Sequence, residues 1–531
     1  HSADAMTIQN AAALRFDMMD SPRPSTARGS GRRVPEFGKR ASWAHQAPGD
    51  LRGLVDLFRV AGRRRNVPGV KFCTALALCI ASTSFAFARP TLADSPASPV
   101  EGPEIPFEKY SLENGMEVIL HRDASLPLVA VNIWYHVGPV NEPPGRSGFA
   151  HLFEHLMFTG SKHVGTRFDK LLESAGATNV NGTTSWDRTN YFETVPRERL
   201  ELCLWIESDR MGFFLDTLSA QSLEVQRDVV KNERRQSYED APYGPSSLVL
   251  LDTLFPTGHP YHGAVIGSMR DLEAAKLRDA EAFFSAYYAP SNATLTLAGD
   301  FDRTRAKRWI ARYFGPFAKK PKPARRRSVT PALKELTRRE VSEPVELAKV
   351  SMGWLTPPAY SADVAALELA AALLAGGKAT RLYQKLVVEK KLASEVSADL
   401  DSSALASVFS LSAVAASGKP AKSVEAAVDD VLRELSARGP SEAELARARR
   451  RVLLALMADL QLLNGADGES GRAGLLQRFN HHLGDPGHLK RYHASIEAVR
   501  PEDVKRALRT HLDLTRRVIV TTTPKPKEQR Q

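Results

Sequence analysis

The sequence contains 531 residues, of which 43% are hydrophobic and 25% are charged, and its formal net charge is +11. This composition is typical of a globular protein with two or more domains, and it excludes a chain too poor in apolar residues to fold. Residues 1–95 hold 14 Lys and Arg against 7 Asp and Glu. Much of the basic excess therefore lies near the N-terminus, and we predict no nucleic-acid partner.

The N-terminal segments predict an extension followed by an export signal. Residues 1–62 are rich in Arg, Ser, Pro and Gly, which predicts a disordered or misassigned N-terminal extension. Residues 63–88 join a basic run to an apolar stretch that ends in Ala86-Phe87-Ala88, as in a signal peptide. We therefore predict a periplasmic or secreted mature protein that begins near Arg89 and has no stable membrane span. The alternative is an uncleaved membrane anchor at residues 63–88.

The remaining chain shows two halves with similar patterns of strands and helices. In the first half, periodicity predicts strands near 109–118, 128–137 and 292–298, and helices near 149–158, 166–174, 197–214, 222–238 and 304–313. In the second half, it predicts strands near 345–354, before 416 and at 517–522, and helices near 361–374, 379–388, 421–437 and 442–463.

The charged and proline-rich residues 318–331 separate these halves and predict a linker. We therefore predict an α+β fold with two homologous domains, at residues 103–317 and 332–525. In each domain a mixed or antiparallel sheet is flanked by helices.

The segment 148–158, GFAHLFEHLMF, predicts a buried helix that carries three ionisable side chains. Such groups need a partner or a metal when they are buried. His151 and His155 are four residues apart and share one helix face, which suits two ligands of a tetrahedral Zn²⁺. Glu154 can hold and deprotonate a zinc-bound water, and the residues match the inverted H-x-x-E-H signature. The alternative is a core helix with satisfied histidines.

A third metal ligand is expected on the helix near residues 223–238. Glu233 lies on the side of this helix that carries its apolar residues, Leu223, Val225, Val229 and Val230. A carboxylate on a packed face is a candidate ligand, whereas Glu239 is expected to be exposed. The alternative for Glu233 is a solvated or salt-bridged side chain.

The motif HLFEH followed by VVKNERRQ resembles the pitrilysin family of metallopeptidases, which includes insulin-degrading enzymes and mitochondrial processing peptidases. The similarity extends over about residues 106–523 and includes GATNVNGTTSWDRTNYFETVP at 176–196. The resemblance implies a zinc endopeptidase of peptides or unfolded polypeptides, with one Zn²⁺ per chain. It implies His151, His155 and Glu233 as ligands and Glu154 as the catalytic base.

Further site residues follow from the same resemblance. The family often places a supporting Glu seven residues before the carboxylate ligand, where this chain has Gln226. The amide can still form hydrogen bonds around the metal ligands, but it brings no charge. The peptide substrate is expected to add as a strand along Asn181, Gly182 and Thr183. The alternative is a plain sheet edge with a glycine bulge.

The second half lacks two residues that the family uses to bind the substrate carbonyl. An Arg and a Tyr seven apart are expected there, but the aligned positions hold Val387 and Ser394, and nearby Arg381 and Tyr383 are wrongly spaced. The chain thus resembles a bacterial zinc-bearing subunit like the β subunit of mitochondrial processing peptidase. It is expected to form half of a clamshell with a second pitrilysin-like chain that supplies the Arg and Tyr. The alternatives are a self-sufficient homodimer or monomer, and a non-catalytic zinc-binding scaffold subunit.

Overall fold

The computed structural model describes residues 102–326 and 330–526. The predicted extension at 1–62 and signal peptide at 63–88 lie outside these residues and remain predictions. Within the described part, we find no helix that combines the length and the apolar character needed to cross a bilayer.

Six strands form the first sheet, in the spatial order β1-β2-β6-β3-β5-β4. Their bounds are β1 (Glu108–Ser111), β2 (Glu117–Arg122), β3 (Leu128–Tyr135), β4 (Thr178–Thr184), β5 (Thr189–Pro196) and β6 (Ala293–Gly299). Strands β2 and β6 are parallel, and the other neighbours are antiparallel. Strand β4 is therefore an edge strand of the first sheet.

Five strands form the second sheet, in the order β7-β11-β8-β10-β9. Their bounds are β7 (Thr337–Glu343), β8 (Lys349–Thr356), β9 (Ala393–Asp401), β10 (Ser407–Ala415) and β11 (Val518–Pro524). Its first and last strands in sequence are parallel neighbours, as β2 and β6 are in the first sheet. Apart from β1, the two sheets therefore share one strand order and one set of strand directions.

Helices flank both sheets, which makes the fold α+β as predicted. The described residues contain α1 (Phe149–Leu156), α2 (Phe168–Ser174), α3 (Leu200–Phe213), α4 (Ala220–Arg234), α5 (Gly244–Leu254), α6 (Met269–Glu273), α7 (Leu277–Tyr287), α8 (Arg303–Phe314), α9 (Val364–Leu374), α10 (Ala421–Arg438), α11 (Glu442–Gln461), α12 (Gly471–Leu483), α13 (Leu489–Ala498) and α14 (Pro501–His511). The residues predicted as a helix near 379–388 mainly form a π-helix, Tyr383–Glu389. The stretch from 318 to 326, predicted as a linker, has no helix or strand.

One face of the first sheet packs against its own helices, while the opposite face is covered by α12 from the second half. Val131, Ile133 and Phe153 are buried in the first core, which also includes α8 residues. On the opposite face, Gln477 Nε2 donates to the carbonyls of Asn132 at 3.0 Å and Thr294 at 2.8 Å. The halves are therefore joined by buried polar contacts as well as by the chain, and all described residues belong to one compact unit.

Two buried carboxyl groups share one buried cation behind β5. Glu193, Glu207 and Arg210 are each 1–2% exposed, and Arg210 is hydrogen-bonded to Glu207. The Cys203 thiol donates to Glu193 Oε1 at 2.7 Å. Burial, reinforced by repulsion from Glu207, raises the pKa of Glu193 well above its ordinary value. The folded protein therefore favours the protonated form of Glu193 more strongly than the unfolded chain does.

We expect Glu193→Gln to gain stability relative to the unchanged chain as the pH rises above the ordinary pKa of a carboxyl group. When a carboxyl group has a higher pKa in the folded than in the unfolded state, its protonation stabilises the folded protein. This stabilisation is complete at pH values below the unfolded-state pKa, and it is lost as the pH rises to the folded-state pKa. Each unit of this pKa difference is worth about 1.4 kcal/mol, and the amide cannot ionise. Urea unfolding at several pH values measures the effect, with exposed Glu281→Gln as control. A variant that is equally destabilised at every pH would contradict the protonated state.

Candidate metal centre

Helix α1 is held at its N-terminus by the partly buried side chain of Glu142. Glu142 accepts hydrogen bonds from the backbone N–H groups of Gly148 at 3.0 Å and Ala150 at 2.8 Å. Burial raises the pKa of Glu142 to about 8, although these backbone donors favour its charged form. Gly148 has φ 88°, and a Cβ there would lie 2.6 Å from the carbonyl oxygen of Ile266. The start of the helix is thus fixed by a cap and by a position that requires glycine.

Helices α1 and α4 bring two histidines and two carboxylates together. His155 Nε2 lies 3.1 Å from Glu233 Oε2, and His151 Nε2 lies 3.7 Å from Glu233 Oε1. The potential ligand atoms of His151, Glu154 and His155 all lie within 4.8 Å of one another. His151, Glu154 and Glu233 are at most 9% exposed. The structure therefore brings together all four residues expected at the metal site.

This arrangement fits a zinc ion. Ligands about 2.1 Å from a tetrahedral Zn²⁺ are separated from one another by about 3.4 Å. The separations between Glu233 and the two histidines, 3.1 and 3.7 Å, lie on either side of that value. Two imidazole nitrogens and a carboxylate oxygen are also a donor set that zinc prefers. His151, His155 and Glu233 would hold the ion, which leaves Glu154 beside it.

Burial sets the protonation states of two site residues. It lowers the pKa of His151 despite the nearby Glu233, so the imidazole is neutral, as a metal ligand must be. Burial raises the pKa of Glu154, while His151 and a hydrogen bond from Thr184 act in the opposite direction. A raised pKa makes Glu154 a better proton acceptor than an exposed carboxylate.

The edge strand β4 contacts Glu154 directly. The Thr184 hydroxyl donates to Glu154 Oε2 at 2.7 Å. A Cβ on Gly182 would lie 3.1 Å from Glu154 Cγ, so the absence of a side chain at residue 182 leaves room for the carboxylate. Thr184 therefore orients one carboxylate oxygen. The sequence suggested Asn181–Thr183 as a substrate strand but did not indicate this contact.

The hydrogen-bond pattern of the β4–β5 hairpin determines which backbone groups face the open edge. Ser185 N donates to Arg188 O at 2.9 Å, and Thr183 lies opposite Asn190. Because an antiparallel ladder alternates, Thr183 faces β5, and the N–H and C=O groups of Gly182 and Thr184 face away from it. The side chain of Thr183 is 9% exposed and bonds to Asn190, Arg188 and the carbonyl of Asp467.

On helix α4, the sequence prediction was wrong about the burial of one residue, Val225. Leu223 and Val230 are buried, but Val225, which was assigned to the same side, is 50% exposed. Val225 is five residues from Val230 and so lies about 140° around the helix, whereas Leu223 is seven residues away. Gln226 lies two turns before Glu233, and its buried Oε1 accepts no hydrogen bond from any described residue.

The four residues of the second half that were considered for binding the substrate carbonyl lie on different elements and have different contacts. Arg381 forms two hydrogen bonds with Glu444, at 2.8 and 2.9 Å, which agrees with a structural role. Val387 and Tyr383 lie on the π-helix Tyr383–Glu389. Ser394 is exposed on the edge strand β9.

Comparison with known proteins agrees with this fold. The family model described as Insulinase (Peptidase family M16) matches residues 117–254, and the Peptidase M16 inactive domain matches residues 275–452. Zinc protease PqqE of Helicobacter pylori is 30% identical over 307 residues, which cover 54% of this chain and 65% of PqqE. The aligned region is therefore just under two thirds of that relative.

Solved structures show the same architecture. A protease from Helicobacter pylori matches with a TM-score of 0.73 and 26% identity, covering 80% of this chain and all of that one. The periplasmic protease PqqL from Escherichia coli matches with a TM-score of 0.65 and 18% identity, covering 79% of this chain and 48% of that one. The fold and site thus define a metallopeptidase-like protein with two sheets, each flanked by helices. The chain belongs to peptidase family M16, the insulinase or pitrilysin family, as its resemblance implied.

Proposed function

We propose that this chain is a zinc-dependent endopeptidase subunit that hydrolyses peptides or unfolded polypeptides. The observation that carries the proposal is the convergence of His151, His155 and Glu233 beside Glu154, next to the edge strand β4. Relatives named as zinc proteases support the same reading. PqqL is described as periplasmic, which supports a periplasmic or secreted location.

The residues of the site have complementary roles in this proposal. His151, His155 and Glu233 would hold one Zn²⁺, which would supply Lewis-acid chemistry to the scissile carbonyl and to water. Glu154 accepts the proton of the attacking water and later delivers it to the leaving amine. Thr184 keeps one oxygen of Glu154 in a fixed direction, so that the other is available to the water.

The substrate adds to β4 in an extended conformation. Hydrogen bonds from the backbone groups of Gly182 and Thr184 hold the peptide chain without reading its side chains. Asn181 and Thr183 support the strand, and Thr183 is anchored to β5 and to the second half. This arrangement accepts many sequences, which suits peptides and unfolded chains as substrates.

We expect about one zinc per chain in the purified protein. His151→Ala, His155→Ala and Glu233→Gln should each lose most of this zinc, because each removes one of three protein ligands. Elemental analysis measures the content, with His262→Ala and Glu239→Gln as controls at exposed positions. Full occupancy in Glu233→Gln would remove Glu233 from the ligand set.

We expect Thr184→Val to lower kcat about 10-fold while leaving KM and zinc content nearly unchanged. Hydrogen bonds to charged groups contribute about 1.5–3 kcal/mol, and valine keeps the shape of threonine without its hydroxyl. Thr184→Ser should restore the rate, and Thr521→Val in the second sheet is the matched control. A Thr184→Val enzyme with normal kcat would show that the contact does not orient Glu154.

A non-catalytic zinc-binding scaffold is the alternative function. It is favoured by the match of residues 275–452 to a domain described as inactive. A peptidase assay with and without a chelator distinguishes the two functions. Zinc-loaded protein that cleaves no unfolded polypeptide, with any M16 partner present, would favour the scaffold.

A further inference from the structure

Apart from the basic N-terminal residues 1–95, one further segment of the chain is strongly positive. Residues 303–334 contain twelve Lys and Arg and no Asp or Glu, whereas the formal net charge of the whole chain is +11. The remaining residues therefore nearly balance one another. Such a concentrated charge produces a local positive potential that a globular fold does not require.

Helix α8, at the start of this segment, presents its arginines on one side. Its buried residues are Ala306, Ile310 and Phe314, which pack into the first core. Arg305, Arg308 and Arg312 are exposed. They are separated by three and four residues and so share one face, opposite the buried one. We call Arg305, Arg308 and Arg312 the basic face.

The basic face has no acidic partner among the residues that the structure describes. Lys307, on the flank of the same helix, is paired with Glu108, but no such pair involves Arg305, Arg308 or Arg312. The exposed residue Lys319 follows the helix in the chain and adds to the positive charge of the segment. These charges repel one another. Glu198, Glu201, Asp300 and Asp302 line a pocket beside Arg305, but no acidic side chain of the described residues is paired with the face, so a dense negative surface would be attracted here.

The chemistry of the face indicates the kind of partner. No large hydrophobic side chain is exposed in the described part of residues 303–334, although protein interfaces usually have an apolar core. Proteins that bind single-stranded nucleic acids commonly use aromatic rings for stacking. Here Arg305 and Arg312 lie over the rings of Trp309 and Tyr313, at 5.1 and 5.5 Å from the ring centroids. The face therefore offers charge alone, which suits a flat array of phosphate groups.

We propose that the basic face of α8 binds reversibly to the surface of a membrane that contains anionic phospholipids. The contact is peripheral and electrostatic, and no segment of the face enters the hydrocarbon region. It does not depend on zinc or on peptidase activity. If the chain is a peptidase, this contact holds it near the membrane.

Co-sedimentation of the full chain with vesicles tests this proposal. At low salt the protein should bind vesicles of equal parts phosphatidylglycerol and phosphatidylcholine, but not vesicles of phosphatidylcholine. The triple variant Arg305→Gln, Arg308→Gln, Arg312→Gln should bind the anionic vesicles roughly 100-fold more weakly, a factor of about five for each charge. The N-terminal residues are the same in the unchanged chain and in the triple variant. Any difference in vesicle binding between the two is therefore due to the basic face.

A matched control removes the same charge from exposed positions elsewhere, with Arg438→Gln, Arg447→Gln and Arg450→Gln. This control should bind the anionic vesicles much more tightly than the basic-face variant. Equal binding by the wild type and the basic-face variant would overturn the proposal, as would equal loss in the control. Binding to duplex DNA or to an acidic protein without binding to the anionic vesicles would overturn it as well.

Discussion

Glu154→Gln is expected to retain zinc and fold normally, and to hydrolyse peptides about 10²–10⁴-fold more slowly than the unchanged chain. Glutamine keeps the shape of the side chain and can still accept the hydrogen bond from Thr184. It cannot take a proton from water at neutral pH. The loss should therefore appear in kcat, while KM for a peptide substrate changes little.

The measurement combines steady-state kinetics with elemental analysis of the same preparation. Glu173→Gln, at an exposed position on α2, is a matched control that should keep full activity. A zinc-loaded Glu154→Gln protein with near-normal turnover would exclude Glu154 as the base. Loss of zinc in this variant would instead mean that Glu154 belongs to the ligands.

A second M16 chain that carries the missing Arg and Tyr is expected to raise the peptidase rate of this chain about 10²–10³-fold, the typical effect of one oxyanion donor. Water attack on a peptide carbonyl creates negative charge on its oxygen. At the aligned positions this chain has Val387, which cannot donate, and Ser394, whose hydroxyl is shorter than a phenol. Arg381 is bound to Glu444 and is therefore not available as a substitute.

Titrating the partner into a peptidase assay measures the gain. The matched control is the same partner with its Arg changed to Val and its Tyr changed to Ser, which should bind but activate little. A gain-of-function variant, Val387→Arg with Ser394→Tyr, tests the homodimer, because each copy then supplies the pair to the other. High activity of the isolated chain, unchanged by any such partner, would contradict the two-chain arrangement.

The sequence predicted the parts of the site that lie on single helices. The apolar surroundings and four-residue spacing of His151 and His155 follow directly from helical periodicity, and so does the placement of Glu154. The side of α4 on which Glu233 lies made it only a candidate ligand, and the family resemblance implied its role; the structure brings it to 3.1 Å from His155. In contrast, Val225 was placed wrongly because all valines were counted as buried, without regard to their angles around the helix.

Contacts between separate elements could not be predicted in this way. Glu142 precedes α1 in a loop, and its role as a cap depends on how that loop folds back onto Gly148 and Ala150. The bond from Thr184 to Glu154 depends on the packing of β4 against α1. Periodicity describes one element at a time, so it identifies the faces of α1 and β4 but not their relative placement.

The two sheets share a strand order, apart from β1, which raises the question of whether each half could exist by itself. Helix α12 prevents this here, because it belongs to the second half of the chain but covers the first sheet. Without it, the carbonyls of Asn132 and Thr294 would lose the hydrogen bonds from Gln477. Trp134, which is 1% exposed and donates to the carbonyl of Gly468, would face water. The first half therefore depends on the second to cover this face of its sheet, and a chain that contained the first half alone would expose buried polar and aromatic groups.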